Sequence, residues 1–169
     1  MTRKEISKEK ALERLVALCN RSEQCEADII NKMIGWRLAS ADRNEILETL
    51  RNQSLVNNSR FAKAYAGDKA RFSYWGPQKI RAELIKRRIP SNIITEALHN
   101  VEAAVWKNSL LHSADVKAKN LDLIGEDARA DLQKLYRYLV SRGFPSASVT
   151  KVVSLMKKKQ MEVRDAEMD

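Results

Sequence analysis

Apolar side chains recur every three to four residues along most of this chain, the spacing that places them on one face of an α-helix. The series is evident at Leu12 and Leu15, and it continues to Val149 and Val152 near the other end. The chain has only five glycines and three prolines in 169 residues, and they fall between the periodic segments. This arrangement favours helices joined by short turns. We therefore predict an all-α protein.

Short breaks divide the middle third of the chain into three predicted helices. Asn57 and Asn58 offer side-chain caps to the first helix. Gly76 and Pro77 end that helix and begin the second, and Pro90 does the same ahead of the third. Similar apolar spacing predicts three helices before this region and three after it.

The middle and last thirds resemble each other when the sequence is displaced by 55 residues. The displaced positions carry residues of like size or chemistry: Leu84 and Leu139, Arg87 and Arg142, Ile89 and Phe144, and Pro90 and Pro145. A repeat of this length is typical of a helical array, in which each unit contacts mainly its neighbours.

The first third matches more loosely. A 50-residue displacement places Ile30 on Ile80 and Ile34 on Leu84. We predict an elongated all-α array of three tandem three-helix repeats. The predicted divisions are repeat 1 at residues 1–54, repeat 2 at 55–101, repeat 3 at 102–160, and a polar tail at 161–169.

Positive charge is concentrated in the middle repeat. The whole chain carries +9, and residues 55–101 account for +6 of it, with nine basic and three acidic residues. Such a concentration favours an anionic partner, namely nucleic acid, an acidic protein surface or an anionic membrane. The alternative is a solvated helical face without a binding role. The residues predicted to form a basic binding face are Lys69, Arg71, Lys79, Arg81, Lys86, Arg87 and Arg88.

The sequence offers little to an enzyme, a cofactor or a metal. His99 and His112 are isolated, and the chain has no glycine-rich phosphate loop. Cys19 and Cys25 are too few for a disulfide framework or a zinc site, so we expect two reduced thiols. No apolar run approaches the roughly 18 residues of a membrane span. We expect a cytoplasmic, monomeric protein without catalytic residues, cofactor, metal or membrane partner.

Three aromatic residues of the first central helix share one face. Phe61, Tyr65 and Phe72 fall within about 40° of one another at 100° per residue. Aromatic side chains can stack on nucleic-acid bases, but a shared helical face favours packing in the core. We expect Trp75 to pack at the junction between this helix and the next.

The central repeat resembles the RecX family, bacterial regulators of the RecA recombinase. The residues that carry the resemblance are Phe61, Ala62, Tyr65, Gly76, Ile80, Glu83, Leu84 and Ile89. The family usually has an acidic residue three positions before the phenylalanine, where this chain has Asn58. Because asparagine caps a helix about as well as aspartate, we expect the same fold.

The resemblance implies a non-enzymatic role in DNA repair and recombination. Family members bind RecA on single-stranded DNA, lie in the groove of the filament, and limit its growth or activity. We therefore expect the RecA filament and single- and double-stranded DNA as partners. Two alternatives stay open: a sequence-tolerant nucleic-acid-binding protein without recombinase specificity, and an adaptor that binds only protein.

Overall fold

A computed structural model describes residues 6–126 and 128–167. These residues form helices and connecting turns without a strand, which confirms the all-α class. No helix in the described ranges is long and apolar enough to cross a membrane. The helices of the described chain are α1 Lys8–Cys19, α2 Glu26–Gly35, α3 Ser40–Asn52, α4 Asn58–Phe72, α5 Pro77–Lys86, α6 Ser91–His99, α7 Ala103–Ala118, α8 Ala128–Ser141 and α9 Ser146–Ala166.

The central helices begin where their capping residues predict. The Asn57 side-chain oxygen accepts hydrogen bonds from the backbone N–H groups of Ser59 and Arg60, each at 2.9 Å. Two of the N–H groups at the start of α4 are thereby satisfied. Pro77 is the first residue of α5, a position where proline loses no helical hydrogen bond and its fixed φ suits the helix.

Helix α3 and the second helix of each predicted repeat, α2, α5 and α8, end in the same way; at α3 the residue after the C-cap is Ser54, with a φ of 54°. The three ends at α2, α5 and α8 can be compared directly. The residue after each C-cap has a positive φ, which is 61° at Arg37, 56° at Arg88 and 90° at Gly143. The next backbone N–H then bonds to the carbonyl five residues back, as Ile89 does to Leu84 at 3.1 Å. This is the Schellman arrangement, which satisfies carbonyls that the helix end leaves unpaired. Local geometry therefore repeats in all three parts of the chain.

These helix ends correct the alignment of the first third. Met33, Leu84 and Leu139 occupy the same position of the three Schellman ends, and each is fully buried. Met33 therefore corresponds to Leu84 through a displacement of 51 residues, so the predicted match of Ile34 to Leu84 is wrong. Ile34 is 51% exposed. A one-residue error turns a helical position by about 100°, which is enough to exchange core for surface.

Contacts group the chain into two units, and each has its own core. Unit 1 comprises Met1–Tyr65 and Leu84–Ala97, and unit 2 comprises Ala66–Glu83 and Leu98–Asp169. In unit 1, α1 and α2 both pack on α3. In unit 2, α7, α8 and α9 pack against one another. The division into three repeats stays a prediction, and α9 includes residues 161–166 of the predicted polar tail.

Candidate nucleic-acid interface

The seven predicted basic residues are divided between the two units. Unit 2 contains four of them, called here the unit 2 cluster: Lys69, Arg71, Lys79 and Arg81. Unit 1 contains the other three, called here the α5 end: Lys86, Arg87 and Arg88. Each group is described within its own unit.

Arg87 is held by contacts inside unit 1. Its Nε lies 3.3 Å from Oδ2 of Asp28, and its guanidinium carbon lies 5.0 Å from the centre of the Tyr65 ring. The side chains of Arg87 and Asp28 are only 27% and 35% exposed. The carboxylate offsets the arginine charge at short range, so Arg87 contributes more to unit 1 than to a free basic face.

Arg88 is exposed and follows Arg87 at a strained backbone position. Its φ of 56° lies in the left-handed region, where a side chain normally costs about 1 kcal/mol or more. The hydrogen bond from its N–H to the Ile85 carbonyl, at 2.8 Å, belongs to the Schellman end of α5. Glycine would suit the backbone better here.

The α5 end lines a small cavity within unit 1. Its volume is about 180 Å³, and Asn58 and the first two turns of α2 form the rest of its wall. The Asn58 side-chain oxygen accepts the backbone N–H of Glu26 at 3.1 Å, and so caps α2 from a distant part of the sequence. Asn58 thus caps α2, whereas Asn57 caps α4.

Two lysines of the unit 2 cluster lie over the ring of Trp75. The ammonium groups of Lys69 and Lys79 lie 5.0 Å and 4.4 Å from the centre of the Trp75 ring. Both distances are within the range of cation–π attraction, which holds a lysine without neutralising it. Trp75 is half-buried at the junction of α4 and α5, where the sequence predicts it. Arg71 and Arg81 are exposed.

The segment between Phe72 and Pro77 is fixed by Arg142. One guanidinium nitrogen, Nη2, donates to the carbonyls of Ser73 and Tyr74, the latter at 3.2 Å. In return, the N–H of Gly76 donates to the Arg142 carbonyl at 2.7 Å. Sequence reasoning gave Arg142 no role, although the 55-residue displacement places it opposite Arg87. Both arginines hydrogen-bond to a chain segment that is distant in the sequence.

Two further contacts restrain the same segment. The ring of Tyr74 stacks on His112 with centres 3.8 Å apart. A Cβ atom added at Gly76 would overlap the backbone of Gly143 and Phe144. The glycine is therefore required for close approach of two backbones, a role that only a residue without a side chain can fill.

Phe72 is the clearest failure of the sequence predictions. Phe61 is 8% exposed and stacks on the half-buried Tyr65 at 5.5 Å, as a core face requires. Phe72 shares their helical direction, yet it is 76% exposed. It is the last residue of α4, where the chain leaves the helix. A shared direction therefore does not bring Phe72 into the core.

Two other cations of the middle repeat form ion pairs within unit 1. Arg60 Nε lies 2.8 Å from Glu23, and Lys63 Nζ lies 2.6 Å from Glu96. A count of basic residues along the sequence therefore overstates the positive charge that this part of unit 1 presents.

Burial raises the pKa of both cysteine thiols among the described residues. Cys19 and Cys25 are free, and burial raises the pKa of the Cys25 thiol to about 11. A thiol with so high a pKa is almost entirely protonated at neutral pH and is a poor nucleophile. Within residues 6–126 and 128–167, no three histidine, cysteine or carboxylate side chains are grouped to hold a metal ion.

Known proteins resemble this chain over most of its length. A family model described as "RecX, second three-helix domain" matches residues 57–98. Regulatory protein RecX of Clostridium beijerinckii is 30% identical over 151 residues, which are 89% of this chain and 68% of that protein. The chain belongs to the RecX family. Its RecX relative from Chlorobium phaeobacteroides is 28% identical over 83% of this chain and 89% of that protein.

Crystal structures of RecX proteins share the fold. RecX from Lactobacillus salivarius superposes with a TM-score of 0.72 at 18% identity, over 88% of this chain and 96% of that one. A second RecX crystal structure gives a TM-score of 0.74 at 24% identity, over 87% and 71% of the two chains. At these identities the likeness shows the fold alone.

The departure from the RecX pattern at Asn58 has a local consequence. Asn58 lines the same cavity as the three cations of the α5 end. An acidic residue at this position would accept the same N–H of Glu26 and would also bring a negative charge near those cations. The neutral amide keeps the cap and leaves the cavity wall more positive.

Proposed function

We propose that this RecX-family chain regulates the RecA recombinase by binding the RecA filament and DNA, and that it limits filament growth or recombinase activity. It acts without catalysis, as a monomer in the cytoplasm. Membership of a family of regulatory proteins supports the regulatory role. The observation that carries the binding role is the unit 2 cluster, in which Arg71 and Arg81 are exposed and Lys79 lies over the Trp75 ring. None of these three residues forms an ion pair with a described carboxylate.

The positive charge of the segment that contains the unit 2 cluster suits binding to phosphate. From Lys69 to Arg81 the sequence contains four basic residues and no acidic one. Binding several phosphates releases condensed counterions, which gives sequence-tolerant affinity that falls steeply with salt. With about five phosphates contacted on a single strand, log K should fall with log salt at a slope of roughly −3.5.

Exposure and local contacts separate the proposed binding residues from those that stabilise the fold. Arg71, Arg81 and Arg88 are exposed, and Lys69 and Lys79 are positioned by Trp75. Lys86 is an exposed member of the α5 end. We assign Arg87 to the stability of unit 1 because of its contacts with Asp28 and Tyr65.

ATP hydrolysis by RecA on single-stranded DNA tests the proposal. Added wild-type protein should inhibit hydrolysis at a small fraction of the DNA concentration, because a filament regulator acts on many recombinase subunits at once. Parallel titrations of labelled DNA across a salt series separate the alternatives. An adaptor that binds only protein would leave DNA unbound even at low salt. A general DNA binder would inhibit RecA only when it coats the DNA.

A further inference from the structure

Phe72 stands out among the aromatic residues of the protein. Within the described residues it is the one phenylalanine, tyrosine or tryptophan that is exposed, at 76%. A lone exposed apolar side chain is ordinary on a protein surface. Phe72 differs because of its neighbours along the chain, which are Arg71 directly before it and the Trp75 segment directly after it.

We propose that Phe72 is a base-stacking residue for single-stranded DNA, with the unit 2 cluster binding the adjoining phosphates. The inference rests on the DNA-binding part of the proposed function and names the residue that contacts the bases. Single-strand sites combine cations that follow the backbone with aromatic rings on which bases stack. Phe72 and the unit 2 cluster supply both components within 13 residues, from Lys69 to Arg81.

Trp75 and Phe72 have different roles in this site. Two ammonium groups already lie over the Trp75 ring, at 5.0 Å and 4.4 Å, so Trp75 positions Lys69 and Lys79. The exposed Phe72 ring is accessible to a base. Asp68, one helical turn before Phe72, is the sole acidic residue in the sequence from 66 to 81. Four cations outnumber it, so the net attraction is for phosphate.

The chain after Phe72 is ordered before any DNA binds. Arg142 holds the carbonyls of Ser73 and Tyr74, and the N–H of Trp75 donates to the Lys69 carbonyl at 3.1 Å. Tyr74 is further held by its stack on His112. A site whose backbone is already fixed loses little conformational entropy on binding, which favours affinity.

The test compares two fluorescently labelled strands of equal length, oligo(dT) and an abasic strand with the same phosphates. Wild-type protein should bind oligo(dT) about 5- to 150-fold more tightly, the range expected for stacking on one base. Phe72→Ala should bind both strands with the affinity of wild type for the abasic strand. Its salt slope should not change, because no phosphate contact is removed. Phe72→Trp should restore the preference for bases.

Leu155→Ala is the matched control, because it removes an apolar side chain that is 48% exposed elsewhere in unit 2. It should bind as wild type does. The inference is overturned if Phe72→Ala keeps the full preference for oligo(dT), or if wild type shows none. It is also overturned if Phe72→Ala binds DNA normally but no longer inhibits RecA, because Phe72 then contacts the recombinase. In these cases the proposed function stands. Failure of wild type to bind either strand overturns both.

Discussion

Several basic residues of unit 1 lie in ion pairs, whereas two lysines of the unit 2 cluster lie over an aromatic ring. Unit 1 arginines and lysines face carboxylates in short ion pairs: Arg51 with Glu26, Arg60 with Glu23, Lys63 with Glu96, and Arg87 with Asp28. In the unit 2 cluster, Lys69 and Lys79 lie over the ring of Trp75, and Lys79 forms no ion pair with a described carboxylate. An ion pair offsets a charge, whereas an aromatic ring orients the cation and leaves its charge intact.

This difference shows which of the basic residues counted in the sequence are available to an anionic partner. The +6 of residues 55–101 includes Arg60, Lys63 and Arg87, which serve contacts within unit 1. Arg71, Lys79 and Arg81 of the unit 2 cluster form no ion pair with a described carboxylate, so their charge is available beside a fixed chain segment.

Reversing charge in the unit 2 cluster should remove most DNA affinity. Arg71→Glu, Lys79→Glu and Arg81→Glu together should weaken single-strand binding by on the order of 100-fold, if each lost contact is worth about 1 kcal/mol. The salt slope should flatten by roughly 2, at about 0.7 per lost phosphate contact. Fluorescence anisotropy over a salt series measures both quantities.

Arg51→Ala is the control for this variant, because it removes a unit 1 cation that is paired with Glu26. It should reduce stability by at most about 1 kcal/mol and leave DNA affinity unchanged. Equal losses of affinity in the two variants would show that charge acts through the whole protein and would remove the contrast between the units.

Gly76→Ala should disturb the segment that supports the cluster. The added methyl group would overlap the backbone of Gly143 and Phe144, and backbone cannot move aside as a flexible side chain can. We expect a loss of about 1–3 kcal/mol in the free energy of unfolding, the usual range for overpacking. Denaturant unfolding measures it. Gly35→Ala is the control, because nothing lies within 4 Å of an added Cβ there, and a loss as large in that variant would contradict the account.

Arg88→Gly should separate binding from stability. Glycine adopts the φ of 56° without a steric cost, so stability should rise by up to about 1 kcal/mol. Removal of an exposed cation should still weaken DNA binding by a few-fold. A thermal melt and an anisotropy titration on the same sample give both numbers. Loss of stability in this variant would mean that the Arg88 side chain stabilises unit 1.

The smallest effect concerns pH and the unit 1 ion pairs. Hydrogen bonds from Arg51 hold the pKa of Glu26 below its ordinary 4.5. A carboxylate with a lowered pKa stabilises the folded state above its unfolded pKa, and that contribution is lost as pH falls through the folded value. Wild type should exceed Glu26→Gln in stability by at most about 1 kcal/mol at pH 7. Urea unfolding should show the gap closing below about pH 4.5, and a gap that persists to lower pH would contradict the assigned pair.

Helix limits and the core of the fold are predictable from the sequence because they depend on local signals. Pro77 and Asn57 mark helix starts, and Leu84 and Leu139 occupy equivalent buried positions in two repeats. The alignment of the first third is one residue off because its α2–α3 turn lacks the proline that marks the other repeats.

The candidate site is less predictable, because its details depend on contacts between distant residues. Nothing near Arg87 in the sequence indicates that Asp28 is its partner, 59 positions away. Likewise, helical spacing predicts which side of α4 Phe72 lies on. It does not predict that the core no longer covers that side at the last residue of the helix. The sequence signal that could have pointed to Arg142 is its alignment with Arg87 in the 55-residue displacement.

Inhibition of RecA ATP hydrolysis by the Arg71→Glu, Lys79→Glu, Arg81→Glu variant tests the central claim most directly. Wild type and Arg51→Ala should inhibit at the same low concentration, since Arg51 belongs to the paired cations of unit 1. Arg71 and Arg81 are exposed and Lys79 is half-buried over Trp75. At about 0.5 kcal/mol for each substitution, the triple variant should melt within about 6 °C of wild type. We predict that it fails to inhibit at concentrations where wild type inhibits fully. Full inhibition by a triple variant that melts normally would contradict the claim that the unit 2 cluster is the functional surface.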